Sequence, residues 1–198
     1  MTYSYTIEQA IRAAAVLHKD QVRKGSIPYP YITHPFTVAM IVSDYTDDED
    51  TIVAALLHDT IEDTDYGEEE LQEDFGGRVR DIVVAISEPP RDPQSKTGWG
   101  DQKKQYVKQM RSASERALLV VAADKIHNMR CIVEEYHDSP AEFISDFGGY
   151  LDDRLLYYQE ISNILNRNLK NNILSEFNNV FKEYKNFIQD VEKKQKEI

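Results

Sequence analysis

Apolar residues recur along this chain at three- and four-residue intervals, and no stretch of four to eight residues alternates convincingly. The pattern therefore predicts helices and no strands. The first helix opens on Thr6-Ile7-Glu8-Gln9, a capping-box arrangement, and carries Ile7, Ile11, Ala14, Ala15 and His18 on one face. It is expected to end near Arg23-Lys24-Gly25, with Gly25 as the cap. Pro28, Pro30 and Pro35 bracket a loop, and Thr33 is placed to cap a second helix containing Phe36, Val38, Ala39, Ile41 and Val42. A third helix is expected from about Asp48 to the neighbourhood of Asp59, and two shorter ones flank Gly76-Gly77.

Between Ser87 and Gly100, Pro89, Pro90, Pro93, Gly98 and Gly100 predict a long loop, of a length often used as a lid or binding loop. Trp99 within it either anchors the loop on the core or walls a substrate site. Helices are expected again over about Asp101 to Arg111, Ser114 to Tyr136, Leu151 to Leu169, and Ile173 to the end. From Lys182 on, the last becomes so polar that it is expected to fray or to pack on another subunit. The fold class is all-α: a compact helical bundle, with residues 1–170 as the main domain and 171–198 as its C-terminal helical extension.

Composition narrows the partners. The 198 residues suit one domain, and 41% apolar with 29% charged is ordinary for a soluble globular protein. The net charge of −12 argues against a nucleic-acid polymer, whose phosphate backbone needs clustered Lys and Arg. A small anionic substrate remains compatible if a metal and a few cations reverse the field locally. No apolar run is long enough to span a membrane, no secretory signal is visible, and Cys131 is the only cysteine. A reducing, cytoplasmic setting is expected, with no membrane partner; a homo-oligomer stays open. Cys131 itself, within Met129-Arg130-Cys131-Ile132-Val133, is expected to be a small core residue.

The chemistry-bearing residues are those that contradict their surroundings. His58-Asp59 follows Val53-Ala54-Ala55-Leu56-Leu57, and Asp124-Lys125 ends the run Ala117 to Ala123. An ionised carboxylate carried inward is costly unless a cation or hydrogen-bond donors compensate it. Asp124 is thus either paired with a neighbouring cation or bound to a metal. A second His-Asp pair, His137-Asp138, lies in a polar helix end where both groups can stay solvated, so the dipeptide alone carries little. With His34 at a predicted helix start, the set His34, His58, Asp59, Asp124 makes a mixed N/O site suited to Mn²⁺, Fe²⁺ or Zn²⁺. Such a site leaves coordination positions for water and a phosphate oxygen.

Three segments then narrow the set: Tyr31-Ile32-Thr33-His34-Pro35, the run Ala54 to Thr64 containing His58-Asp59-Thr60-Ile61-Glu62-Asp63, and Ala123-Asp124-Lys125-Ile126-His127-Asn128-Met129-Arg130. Together with Gln21-Val22-Arg23-Lys24-Gly25, they resemble the RelA/SpoT-type alarmone hydrolase domain, an all-helical branch of the HD superfamily, over about residues 5 to 165. The resemblance implies an HD-type bundle and Mn-dependent hydrolysis of the 3′-diphosphate of guanosine tetra- or pentaphosphate, (p)ppGpp, releasing pyrophosphate. It implies one divalent metal, Mn²⁺ foremost, on His34, His58, Asp59 and Asp124, and a catalytic acidic pair in Glu62 and Asp63.

The same resemblance places Arg23, Lys24 and Asn128 against the nucleotide, Arg23 by stacking its guanidinium on the base. As further substrate-contact candidates, Lys103 stands where the family often has a basic residue, and Arg154 with Tyr158 forms an i, i+4 pair resembling a phosphate-contacting pair of the family. Arg130 fits either a substrate contact or a surface ion pair, and His18 and His127 are read as supporting residues rather than ligands. Cys131 departs from the hydroxyl or acidic residue common in the family, and the Ser87 to Gly100 loop has no close match. Two other functions remain open: an HD phosphohydrolase for another nucleotide or phosphoester, and a non-catalytic nucleotide-binding helical module.

Overall fold

In the computed structural model, residues 2–25, 27–89, 99–140, 143–144 and 151–196 are described; side chains at 99–101 and 195–196 are not. The side chain of Trp99, expected as core anchor or substrate wall, and most of the Ser87 to Gly100 loop therefore lie outside what is described. The helices are α1 Tyr5–Leu17, α2 Thr33–Ser43, α3 Glu49–Leu57, α4 Thr60–Asp63 and α5 Glu68–Phe75, then α6 Gly77–Ile86, α7 Trp99–Met110, α8 Glu115–Asp138, α9 Leu151–Asn168 and α10 Ile173–Lys196. Among the described residues there is no strand, only an isolated antiparallel bridge between Val22 and Pro30. No described helix is long and apolar enough to cross a membrane.

The 24-residue helix α8, about 36 Å long at 1.5 Å per residue, is the spine. Ser114 caps it by accepting from the Ala117 N–H, and the run Ala117 to Ile126 is buried against α2, α3, α6, α9 and α10. Helix α3 is enclosed on all sides, with every residue from Thr51 to Leu57 buried. Its cap is Asp48, which accepts from the Thr51 N–H at 3.2 Å. Burying a whole helix delivers its C-terminal residues, His58 and Asp59, to the interior beside α8.

Three local expectations need correction. The cap of α1 is Ser4, accepting from the Ile7 N–H, rather than Thr6. That helix stops at Leu17, well before Gly25, because the chain turns to pair with residues 29–31: Arg23 N–H donates to Tyr29 O at 2.9 Å and Tyr31 N–H to Gln21 O at 3.0 Å. Gly25 serves the turn instead, at φ +137°, where any Cβ would collide with the Glu135 carboxylate. Thr33 is the first residue of α2 rather than its cap, its hydroxyl donating to Pro30 O.

The C-terminal helix also differs from expectation. Phe177, Val180, Phe181, Tyr184, Ile188 and Val191 are buried in an unbroken helical stripe against α8 and α9, and the polar residues after Lys182 form its solvated side. Burial on one face supplies what composition conceals: through Val191 the segment packs on α8 and α9 of its own chain.

Candidate metal centre and nucleotide cavity

Three elements bring the metal-type donors together. His34 sits in the first turn of α2, His58 and Asp59 follow α3, and Asp124 projects from mid-α8. Ligand atoms of His34, His58 and Asp59 all lie within 4.8 Å of one another. Asp124 Oδ1 joins them at 3.3 Å from His34 Nε2 and 3.9 Å from His58 Nε2. His34 Nε2 is 3.4 Å from Asp59 Oδ2, and His58 Nε2 is 3.2 Å from Asp59 Oδ1.

The hydrogen bonds behind the rings decide which nitrogens face inward. His58 Nδ1 lies 2.8 Å from Ala55 O, which can only accept, so the ring proton is on Nδ1 and Nε2 presents a lone pair. That Nε2 is buried and makes no hydrogen bond. An orphaned, inward-facing imidazole lone pair between two carboxylates is what a divalent cation requires, so the residues fit one. His34 is oriented the same way: its Nδ1 lies 2.8 Å from His127 Nδ1. With the proton on His34 Nδ1, His34 Nε2 is free to ligate and His127 keeps its own proton on Nε2, 3.6 Å from Cys131 Sγ. Burial and the neighbouring His34 and Arg23 depress His127 to about 4, keeping it neutral for this role. Such supporting bonds fix tautomer and ring angle in metal sites.

Electrostatics of the cluster follow from burial opposed by partners. Burial favours the neutral form of Asp59, but in the absence of a cation the protonated rings of His58 and His34 override it and hold the carboxyl below its usual range; a bound cation takes the place of those protons on Nε2. Asp124 is likewise driven down against its burial, chiefly by Lys125, whose Nζ donates to Asp124 Oδ2 at 2.6 Å. Lys125 is itself buried, with its ammonium 5.9 Å from the Tyr106 ring centroid and 5.8 Å from that of Tyr157. Asp124 thus meets its neighbouring cation through Oδ2, as expected, while Oδ1 is left facing the two imidazoles.

The cluster lines a cavity of about 670 Å³, together with Glu62, Asp63, Arg23, Lys24, Asn128, Lys103, Arg154 and Tyr158 from the sequence reading. Arg23, Lys24 and Asn128 lie together at one part of the wall: Arg23 Nη2 donates to Asn128 Oδ1 at 3.0 Å, and Asn128 donates onward to Asp124. Lys103, Arg154 and Tyr158 also line the cavity, Lys103 paired with Glu88 and 5.0 Å from the Tyr157 ring centroid. Five cations, Arg23, Lys24, Lys103, Lys125 and Arg154, face this space in a chain of net charge −12.

Glu62 and Asp63 also line the cavity, at the end of the one-turn helix α4. Solvent reaches both side chains, yet the surrounding protein removes enough water to push Glu62 up to about 8, aided by Asp59 and Glu88. The Glu88 N–H, donating to Glu62 Oε1 at 2.7 Å, works in the other direction. Asp63 is raised for the same reasons, burial and then Asp59.

Some expectations fail and some residues were not foreseen. Cys131 is a cavity-lining residue rather than core, its thiol pushed up by burial. Arg130 points away and pairs with Glu176 of α10 at 2.7 Å. His137-Asp138 is exposed in the last turn of α8, away from the cluster. Tyr31, Lys125, Glu88, Tyr106 and Tyr157 were not assigned roles. Only Lys125 had a local signal, a lysine continuing a buried face directly after Asp124.

An all-α bundle that gathers a His…His-Asp…Asp set onto one cavity defines a class, the HD domain proteins. The sequence model of the HD domain family matches residues 10–145, and the chain belongs to this family. Among curated relatives, guanosine-3′,5′-bis(diphosphate) 3′-pyrophosphohydrolase MESH1 of Xenopus tropicalis is 40% identical over 126 residues, covering 63% of this chain and 68% of that protein. The mouse MESH1 is 34% identical over 155 residues, covering 71% of this chain and 84% of its own length. A GTP pyrophosphokinase of Streptomyces coelicolor is 37% identical over 124 residues, of which the match spans only 14% of that longer protein. A solved structure of a metazoan SpoT ortholog that hydrolyses ppGpp superimposes with a TM-score of 0.74 at 26% identity, covering 92% of this chain and 98% of the other.

Proposed function

We propose that this chain hydrolyses the 3′-diphosphate of guanosine tetra- and pentaphosphate, releasing pyrophosphate. His34, His58, Asp59 and Asp124 hold one divalent cation, Mn²⁺ foremost, and residues 1–170 form the hydrolase domain with 171–198 as its extension. The observation that carries this reading is the convergence of the four donors on a cavity that also holds an acidic pair and five cations. The named activity of the MESH1 relatives supports the choice of substrate.

When bound, the cation supplies Lewis-acid chemistry, lowering the pKa of water and polarising a phosphoryl oxygen. The protein's own groups supply the rest. Arg23, Lys24, Lys103 and Arg154 offset the phosphate charge, and Arg23 offers a planar face to the base beside Asn128. Asp63 takes a proton from the attacking water as its oxygen bonds to the phosphorus next to the 3′ oxygen. The P–O3′ bond breaks, and Glu62, protonated at neutral pH, returns a proton to the departing 3′ oxygen. The products are pyrophosphate and the guanosine 5′-di- or triphosphate with a free 3′ hydroxyl, and the two carboxyls exchange their proton through solvent.

The test is a nucleotide panel with purified protein and Mn²⁺, scored for pyrophosphate against orthophosphate. Pyrophosphate from guanosine tetraphosphate is expected, with loss of both metal content and turnover in Asp59→Ala. Metal binding without pyrophosphate release, alongside turnover of other nucleotides, would move the chain to a different HD phosphohydrolase activity. Nucleotide binding with no turnover of any kind would make it a non-catalytic module.

A further inference from the structure

The acidic pair stands on a weak support. Helix α4 is four residues long, with Asp63 N–H to Asp59 O and Thr64 N–H to Thr60 O as its backbone bonds. A helix of one turn has no cooperative stability of its own, so something outside it must define where Asp63 points. Two contacts do so, both from residues between α1 and α2. Gln21 Nε2 donates to the Asp63 backbone carbonyl at 2.6 Å, and Gln21 is in turn held by His18 Nδ1 at 2.8 Å from its Oε1. The second contact is made by Tyr31. Its hydroxyl lies 2.7 Å from Asp59 Oδ2 and 3.1 Å from Asp63 Oδ2, touching a cluster carboxylate and the acidic pair together.

The ring that carries this hydroxyl is clamped. His18 lies on it with centroids 4.9 Å apart, the Arg23 guanidinium is 5.6 Å from its centroid, and the backbone at Tyr31 is tied to Gln21. Three residues before His34, Tyr31 is also fixed to the start of α2, since His34 N–H donates to Tyr31 O at 2.9 Å. A phenol oxygen held from three sides is a rigid reference point, and side chains so locked are what hold reacting groups in register.

We infer that Tyr31 is a positioning residue: its hydroxyl sets the orientation of Asp59 toward the cation and, through the same oxygen, the position of Asp63 for the hydrolytic step. The first part rests on the cluster geometry alone; the second rests on the proposed hydrolase reading.

Tyr31→Phe removes the oxygen and keeps the ring between His18 and Arg23, so the fold is retained, which a melting curve verifies. Calorimetry with Mn²⁺ alone reads the first part. Loss of such a supporting bond typically weakens metal affinity about 10–100-fold, and an affinity within twofold of wild type would overturn it. Turnover of guanosine tetraphosphate at saturating Mn²⁺ reads the second. Expected is a kcat at least about tenfold lower with KM little changed, the pattern of an interaction used in the transition state. The same substitution in an Asp63→Asn background is expected to cost less than about twofold, because residues that act as a unit are not additive. Equal losses in both backgrounds, or a change confined to KM, would refute action through Asp63. If the wild-type protein turns over no alarmone, the hydrolase reading fails while the calorimetric arm still decides the link to Asp59.

Discussion

Replacing Lys125 by Met tests whether the cluster is balanced as its geometry implies. The Lys125 and Asp124 side chains are only 11% and 10% exposed, their charged atoms are 2.6 Å apart, and the ammonium also faces two tyrosine rings. Met preserves most of the stem volume and removes the charge, so the loss is electrostatic more than steric. Without it, Asp124 Oδ2 is a buried carboxylate oxygen whose strongest partner is gone. Removing one member of a buried pair costs about 3–5 kcal/mol, because the remaining charge is left uncompensated. At about 2–4 °C per kcal/mol for a chain of this size, the metal-free protein should melt roughly 6–20 °C lower.

A divalent cation next to Asp124 supplies the missing positive charge, so the penalty should shrink when Mn²⁺ is present. The assay is a pair of melting curves for wild type and Lys125→Met, one after chelation and one in Mn²⁺ at about 100 times Kd, where linkage adds about 2.7 kcal/mol. A drop that is large without metal and at most half as large with it supports the reasoning. A metal-free drop under 2 °C, or an equal drop in both conditions, refutes it.

Two further outcomes are expected. Glu62 is protonated below about 8, so a reaction using it as an acid should hold its kcat below that pH and lose it as pH rises through about 8; in Glu62→Gln this limb should vanish while metal content stays at wild-type level, and retention of the limb would remove Glu62 from that role. Ile188 is fully buried in the C-terminal helix, so Ile188→Ala should cost about 2–5 kcal/mol in urea denaturation with an unchanged m value, whereas a frayed tail would show no shift.

Much of the site was legible in the sequence because its residues break a local rule. Asp59 and Asp124 each end an apolar run that a helix must carry inward, so their burial follows from helical periodicity alone, and a buried carboxylate demands a partner. The same reasoning sets aside His137-Asp138, whose neighbours are polar and which the structure leaves in solvent. Helix identity was legible for the same reason, and the errors fell at ends. The early stop of α1 is decided by pairing between residues 21–23 and 29–31, which no helical period records. The packing of the C-terminal segment is hidden in the sequence because its charges outnumber its apolar residues, although Tyr184, Ile188 and Val191 fall on one buried face.

What only the tertiary structure decided is which groups meet. Tyr31 reaches Asp59 across 28 residues, Arg23 reaches Asn128 across 105, and His34 reaches His127 across 93. Side-chain hydrogen bonds of this kind depend on helix packing angles and on rotamers, and they leave no periodic trace in the chain. His58-Asp59 and Asp124 could be named from sequence because they contradict the apolar runs they follow, and His34 because it completes the pattern of the resemblance. Their tautomers, the lysine that balances them and the tyrosine that aligns them became visible only once α1, α2, α3 and α8 were packed around one cavity.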